Sequence, residues 1–189
     1  MQQTSFYTEE ELSSLGLKSY GKNVRISRFC RIYKPENIEI GNHVRIDDFC
    51  ILSAGKSIQL GNYIHLSPYV SIIGCGEVVI GDYSGISGHS CVYSSSDDYT
   101  GEYMTNPTVP EELTNVNHAP VRIGKHVVVG CSSVILPGVT IEDGVAIGAM
   151  TLVQKNCKSN HIYAGNPMKK LMPRFENFWE LEKRISQFD

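Results

Sequence analysis

The chain has 189 residues, of which 41% are hydrophobic and 20% charged, and a formal net charge of −3. That suits one domain with a real core, and the mixed signs offer neither a basic stripe for nucleic acid nor an acidic solvating tail. No apolar run is long enough to span a bilayer, and MQQTSFYTEEEL lacks the basic-then-apolar order of a signal peptide, so a cytoplasmic protein is expected.

In chain order, residues 1–20 read as a helical lead-in. Thr8-x-x-Glu11 forms a capping box, which predicts a short helix from about Glu9 to Leu15. From Gly21 onward a ruler appears. Ile26, Ile46, Leu66 and Ile86 lie 20 apart, as do Ile32, Leu52, Ile72 and Val92, and as do Ile40, Leu60 and Ile80. Within each unit the steps are 6, 6 and 8. After a break, Ile123, Val129, Ile135, Ile141, Ile147 and Val153 continue in uniform sixes.

Three short sides per unit, each beginning with an apolar residue, predict a parallel β-helix of about six triangular turns stacked at the ~4.8 Å strand spacing. Five residues into each hexad comes a second inward position, small or β-branched at Val44, Ser84, Ser90, Val127, Ser133 and Val145. Gly41, Gly61, Gly81, Gly124 and Gly148 follow the leading apolar residue, which suggests corners where the backbone needs freedom. The six cysteines form no CxxC or C-x-H pair, and Cys30 and Cys50 share the second inward column. Reduced packing thiols are therefore expected, with no zinc cluster and no metal.

The ruler is interrupted once. Tyr93 to Ala119, YSSSDDYTGEYMTNPTVPEELTNVNHA, is a 27-residue segment ejected from the repeat, rich in Tyr, Asp, Asn and Pro. A long irregular segment inside a compact domain reads as a binding loop, with Tyr93, Tyr99 and Asn106 as expected substrate contacts. Past the repeat, NHIYAGNP reads as a turn-rich exit, and Phe175, Phe178, Trp179, Leu181 and Ile185 predict an amphipathic helix over 174–188. The expected division is thus lead-in 1–20, β-helix 21–172 with its loop 93–119, and C-terminal helix 173–189.

The hexads I-G-x-x-[small]-x, the single ejected loop and the ending VRIGKHVVVGCSSVILPGVTIEDGVAIGAMTLVQKN…IYAGNPMKKL resemble the hexapeptide-repeat acyltransferase superfamily. Within it, FYTEEELSSLGLKSYGKNV, VRIDDFCIL and YSSSDDYTGEY are most similar to bacterial sugar acetyltransferases of surface-polysaccharide pathways, in particular those acetylating nucleotide-linked 4-amino-4,6-dideoxy-glucose. The resemblance implies a left-handed β-helix, a homotrimer and acetyl-CoA lying in a groove between two prisms. The ejected loop of one subunit would cover each shared site. For the acyl donor it points to Cys131, Ser132, Gly148 and Ala149 along the pantetheine arm, and to Lys155, Lys169, Lys170 and Arg174 for the phosphates.

Transfer from a thioester to an amine or hydroxyl needs a base for the acceptor proton and donors for the developing oxyanion. Histidine is the default base. His43, His89 and His126 occupy the fourth place of a hexad, at a corner, and His161 follows the repeat. His65 fills the sixth place, projecting outward from a flat strand, with Arg45 below it as a possible substrate contact and Gly85 above leaving room for an acceptor. His118 ends the ejected loop. Galactoside-type relatives carry a T-G-H-P motif early in that loop, but this chain reads SSSDDYTG there, so Asp97 or Asp98 stands in its place, as base or as a group orienting His65. A different class remains open: a non-catalytic or metal-binding β-helix trimer of the carbonic-anhydrase type, which would need three histidines meeting at one subunit boundary. O-acylation of a glycoside is the alternative within the enzyme class.

Overall fold

The computed structural model describes residues 5–187, and in it every six-residue side of the ruler becomes a short strand. Strands stack into three faces, and all neighbours within the prism run parallel. The first face runs from Ser19–Tyr20 through Ile38–Ile40, Ser57–Leu60, Glu77–Ile80 and Val121–Ile123 to Thr140–Ile141. The second carries Arg25–Ile26, Arg45–Ile46, His65–Leu66, Gly85–Ile86, Val128–Val129, Ala146–Ile147 and His161–Ala164. The third holds Arg31–Tyr33, Ile51–Ala54, Ser71–Gly74, Cys91–Tyr93, Val134–Ile135 and Leu152–Val153.

The register is the ruler itself: Ile26 pairs with Ile46, Ile46 with Leu66, and Leu66 with Ile86. Those residues, with Val129 and Ile147, are at most 2% exposed and form one column of the core. At the second inward position the hydroxyls are satisfied rather than merely small. Ser84 Oγ donates to the Gly124 carbonyl and accepts from Val127 N–H, while Ser133 Oγ donates to Gly148 O and accepts from Thr151 N–H. Burying a hydroxyl is tolerable only on such terms. Cys30, Cys50 and Cys157 are buried free thiols, and desolvation pushes them up to about 12, 11 and 11.

The glycines after each leading apolar residue have a cause other than the expected one. A Cβ on Gly124 would lie 2.2 Å from Asp143 Oδ1 and 2.7 Å from its backbone nitrogen, and one on Gly61 would lie 2.4 Å from Asp82 Oδ1. These carboxylates accept from the backbone one turn earlier, Asp143 from Lys125 N–H and Asp82 from Asn62 N–H. Close approach between turns excludes a side chain there. The backbone freedom is needed two residues later, where His43, Tyr63, Tyr83 and His126 hold φ between 54° and 59°. A left-handed conformation costs a non-glycine residue about 1–2 kcal/mol. Stacking offsets it: His43, Tyr63, Tyr83 and His126 form a ladder with centroids 4.5–5.0 Å apart, each pair contributing about 0.5–1.5 kcal/mol. A second ladder, Phe29, Phe49, Tyr69 and His89, lines the next corner. The three corner histidines are therefore ladder rungs.

The ends of the prism differ from the expectation in three places. The N-terminal helix spans Glu9–Ser13 with both capping-box bonds made, and its Leu12 buries against the first turn. His161–Ala164, expected as a turn, pairs parallel with Ala146–Ile147 and gives the second face a seventh rung. Tyr163 supplies the inward side chain, 6% exposed, and its hydroxyl accepts from Lys158 N–H. Lys169–Pro173 then returns antiparallel along that rung. The C-terminal helix is only Phe178–Glu182, followed by a 3-10 turn at Ile185–Gln187, and Phe188 lies outside the described residues. It docks through rings rather than a stripe. Phe178 and Trp179 close on His126 at the end of the first ladder, whereas Phe175 and Leu181 stay 88% and 57% exposed. No helix among the described residues is long and apolar enough to cross a membrane.

Candidate functional site

The ejected segment is not structureless. It leaves the third face after Tyr93 and returns through an antiparallel pair, Ser95–Ser96 with Asn117–His118, with a Met104–Thr114 bridge tying the loop across its middle. The folded loop roofs a cavity of about 670 Å³ against the third face. That volume falls within the ordinary range for small-ligand sites, about 300–1,000 Å³. Tyr93, Asp97, Asn106 and His118 reach it from the loop side, and Tyr33 and Lys34 from the prism.

His118 is held at the hairpin: its Nδ1 lies 2.7 Å from Ser95 Oγ, which also accepts from Cys75 N–H. Burial, then the neighbouring Cys91 thiol, pushes the Tyr93 phenol up. Asn106 turns its own strand of loop, its amide oxygen accepting from Thr108 N–H and Oγ1. Tyr99 does not reach the cavity and is 93% exposed.

The two aspartates separate in role. Asp98 accepts from the Thr100 hydroxyl and from the N–H groups of Thr100, Gly101 and Tyr103, so it organises the loop, and these bonds, led by the Thr100 hydroxyl, hold its carboxyl below the usual range. Asp97 lines the cavity. Neither orients His65 within the chain. That histidine sits on the second face, where its Nε2 lies 2.8 Å from Asp47 Oδ2. Asp47 is the residue that sequence reasoning missed. It stands in a column with Ser27, Ser67 and Ser87, where a polar residue looks ordinary; the available signal was its place two residues after Arg45 and one rung below His65.

Asp47 is 7% exposed, and Arg45 Nε donates to its Oδ1 at 2.6 Å. Burial pushes this carboxyl up, but hydrogen bonds from His65 and Arg45 and the guanidinium charge outweigh that and leave it below the usual range. Arg45, expected to touch substrate, is thus engaged with Asp47 and with the Phe6 ring 5.5 Å away. His65 stays half exposed, and above it Gly85 leaves open space: a Cβ there would find only His65 O, at 3.9 Å. Within one chain, His65 on the second face and the cavity on the third are not brought together.

Residues 120–155 match the family model described as bacterial transferase hexapeptide (six repeats). Over 179 residues the chain is 46% identical to a dTDP-4-amino-4,6-dideoxy-D-glucose acyltransferase of Escherichia coli, covering 94% of this chain and 93% of that one. The chain belongs to the hexapeptide-repeat acyltransferases. The solved structure of a variant of AntD, an N-acyltransferase from Bacillus cereus in complex with dTDP-4-amino-4,6-dideoxyglucose and coenzyme A, superposes with a TM-score of 0.95. It has 39% identity over 100% of both chains. AntD in complex with dTDP and 3-hydroxybutyryl-CoA gives a TM-score of 0.94 at 40% identity over 98% of each chain.

This hexapeptide-repeat acyltransferase is therefore a left-handed β-helix enzyme that uses an acyl-CoA donor. Its expected donor-binding residues fall into two groups. Cys131, Ala149, Lys155, Lys169 and Lys170 are exposed late in the prism, with Ser132 at a left-handed corner and Gly148 half-buried beside Ala164. Arg174 is different. Its guanidinium donates to the carbonyls of His126, Gly144 and Val145 and stacks 4.6 Å over Phe178, and burial lowers its pKa. It clamps the C-terminal segment to the prism instead of waiting for a phosphate. Among the described residues, no group of three or more His, Cys, Asp or Glu side chains could hold a metal ion.

Proposed function

We propose that the acyltransferase acetylates the 4-amino group of a dTDP-linked 4-amino-4,6-dideoxy-hexose, using acetyl-CoA, as a cytoplasmic step of polysaccharide biosynthesis. The observation that carries this reading is likeness along the whole chain to a protein solved with that nucleotide sugar and coenzyme A. The acceptor nitrogen attacks the thioester carbonyl, the C–N bond forms, and backbone amides stabilise the oxyanion. Collapse breaks the C–S bond and releases CoA. His65 takes the ammonium-type proton as the nitrogen becomes an amide, and no acyl-enzyme is needed because the thioester is already activated.

The working unit is a homotrimer with three sites between subunits. What supports this is the separation just described: the loop-roofed cavity with Asp97 and His118 lies on one face and His65 on another, so a shared site unites what a single chain holds apart. Outward Val128, 41% exposed, and half-buried Ile51, Val79 and Val134 offer apolar sides for packing.

The test of function is thiol release from acetyl-CoA against a panel of nucleotide aminosugars and simple glycosides. The dTDP 4-amino sugar should be the preferred acceptor, and a simple glycoside as best acceptor would reject the assignment. Light scattering should give three times the 21.0 kDa chain mass. Complementation tests the shared site: His65→Asn subunits and subunits with the cavity plugged by Ser53→Trp should each be inactive alone but recover activity when co-assembled. Trimers that form without recovery would place both groups in one chain's site.

A further inference from the structure

Among the described residues the buried polar side chains are hydroxyls and one carboxylate, that of Asp47. Its two oxygens serve two partners, Oδ1 taking Arg45 Nε at 2.6 Å and Oδ2 taking His65 Nε2 at 2.8 Å. An ionised carboxylate only accepts. Nε2 must therefore carry the hydrogen, and a neutral His65 then has its lone pair on Nδ1. The ring stands half exposed beside the open space over Gly85. Arg45 is itself restrained, its guanidinium lying over the Phe6 ring, so the orientation of the carboxylate is set from behind.

We propose that Asp47 is a positioning residue for acyl transfer: it fixes His65 in the Nε2–H tautomer so that Nδ1 accepts the acceptor's proton, with Arg45 locking the carboxylate in place. This rests on the reading of His65 as the base. As the C–N bond forms and the C–S bond breaks, the proton leaves the nitrogen for Nδ1, and the departing thiolate takes up a proton in turn.

The tautomer argument orders two variants against simple sterics. In Asp47→Asn, the Arg45 N–H keeps the amide oxygen, which turns the amide NH₂ toward Nε2 and forces His65 into the Nδ1–H form, with no outward lone pair. Asp47→Ala imposes neither form. Turnover should therefore fall in the order wild type, Asp47→Ala, Asp47→Asn, the last by about 10²-fold or more, the scale of general-base catalysis. A space-filling role gives the reverse order, because Asn fills the site and Ala empties it. Imidazole ¹⁵N NMR, with His65 assigned by its loss in His65→Asn, should show Nε2–H in the wild type and Nδ1–H in Asp47→Asn. In a His65→Asn background, Asp47→Asn should cost no further turnover.

Each failure is distinct. Near-normal turnover in His65→Asn overturns the base itself and the positioning role with it. An inactive His65→Asn alongside an Asp47→Asn enzyme at least as active as Asp47→Ala, or still showing Nε2–H, overturns Asp47 alone and leaves His65 as the base.

Discussion

Replacing two glycines by alanine should move the protein in opposite directions. At Gly124 the new methyl would sit 2.2 Å from Asp143 Oδ1 and 2.7 Å from Asp143 N. The carboxylate can swing aside at the expense of its bond to Lys125 N–H, but the backbone nitrogen belongs to the next turn and cannot. Overpacking of this kind costs about 1–3 kcal/mol. Against it stands about 0.4–1 kcal/mol from the stiffer unfolded chain, since Gly124 is not in the left-handed region. The net loss is about 1–2 kcal/mol, and in a chain of this size each kcal/mol moves Tm by about 2–4 °C. Gly124→Ala should melt roughly 2–8 °C below wild type. Gly85 lies on the same prism and opens the two-residue strand Gly85–Ile86, yet a methyl there meets nothing nearer than 3.9 Å. Alanine should gain about 0.5–1 kcal/mol and raise Tm by about 1–4 °C. The same methyl occupies the space beside His65, so the KM for the aminosugar should rise in the more stable protein. Thermal melts followed by circular dichroism, paired with acceptor kinetics, decide both points. A Gly124→Ala protein as stable as wild type would refute the close-approach account of these glycines, and a destabilised Gly85→Ala would refute the open space over His65.

Ser133→Ala removes a fully buried hydroxyl and strands Thr151 N–H, while Gly148 O keeps the Thr151 hydroxyl as a donor; the loss should cost about 1–3 kcal/mol in urea unfolding, and a shift below a few tenths would show that the N–H finds another partner. Thiol titration of the native protein at pH 8 should label the exposed Cys75 and Cys131 quickly. Cys30, Cys50 and Cys157, pushed up to about 12, 11 and 11 by burial, should react only on unfolding, and rapid labelling of all six would contradict their inward placement. Neutralising Lys155, Lys169 and Lys170 should raise the KM for acetyl-CoA with little change in kcat, the mark of uniform binding. Arg174→Gln should instead lower Tm and leave that KM alone; the opposite pairing would return Arg174 to the phosphates.

Where the chain repeats, its triangular coil could be read from spacing, because an inward column at steps of 6, 6 and 8 fits short stacked sides and no 3.6-residue period, whereas the left hand came from the family resemblance. The ruler placed His65 outward and put His43, His89 and His126 at corners, and all four stand there. What the ruler could not show is contact between columns. Asp47 reaches His65 across a rung, a relation that occurs once along the chain; the side chains under the corner glycines do recur, Asn42, Asn62 and Asp82 at steps of 20 and Asp143 later, but the ruler of apolar residues does not register them. The extra rung at His161–Ala164 escaped for a related reason. Its inward residue is a tyrosine that satisfies its hydroxyl locally, so the segment carries none of the aliphatic signature of earlier turns. Arg174 shows the limit of reading charge from position: its three carbonyl partners come from residues 29 to 48 positions upstream.

The antiparallel return of Lys169–Pro173 over the last parallel rung has a consequence for the behaviour of the prism in solution. A stack of parallel strands exposes at its end an edge able to template another strand from any passing chain, which is how repetitive β-structures grow into fibres. Here the outermost strand runs the wrong way for a further coil, ends in a proline without an N–H, and presents Lys169 and Lys170 to the solvent. At the opposite end the helix over Leu12 and the antiparallel bridge from Phe6 to Ser27 shield the first coil. The second face is thereby closed at both of its ends against further strand pairing, and loss of residues 165–187 should leave the enzyme prone to end-to-end association through that face.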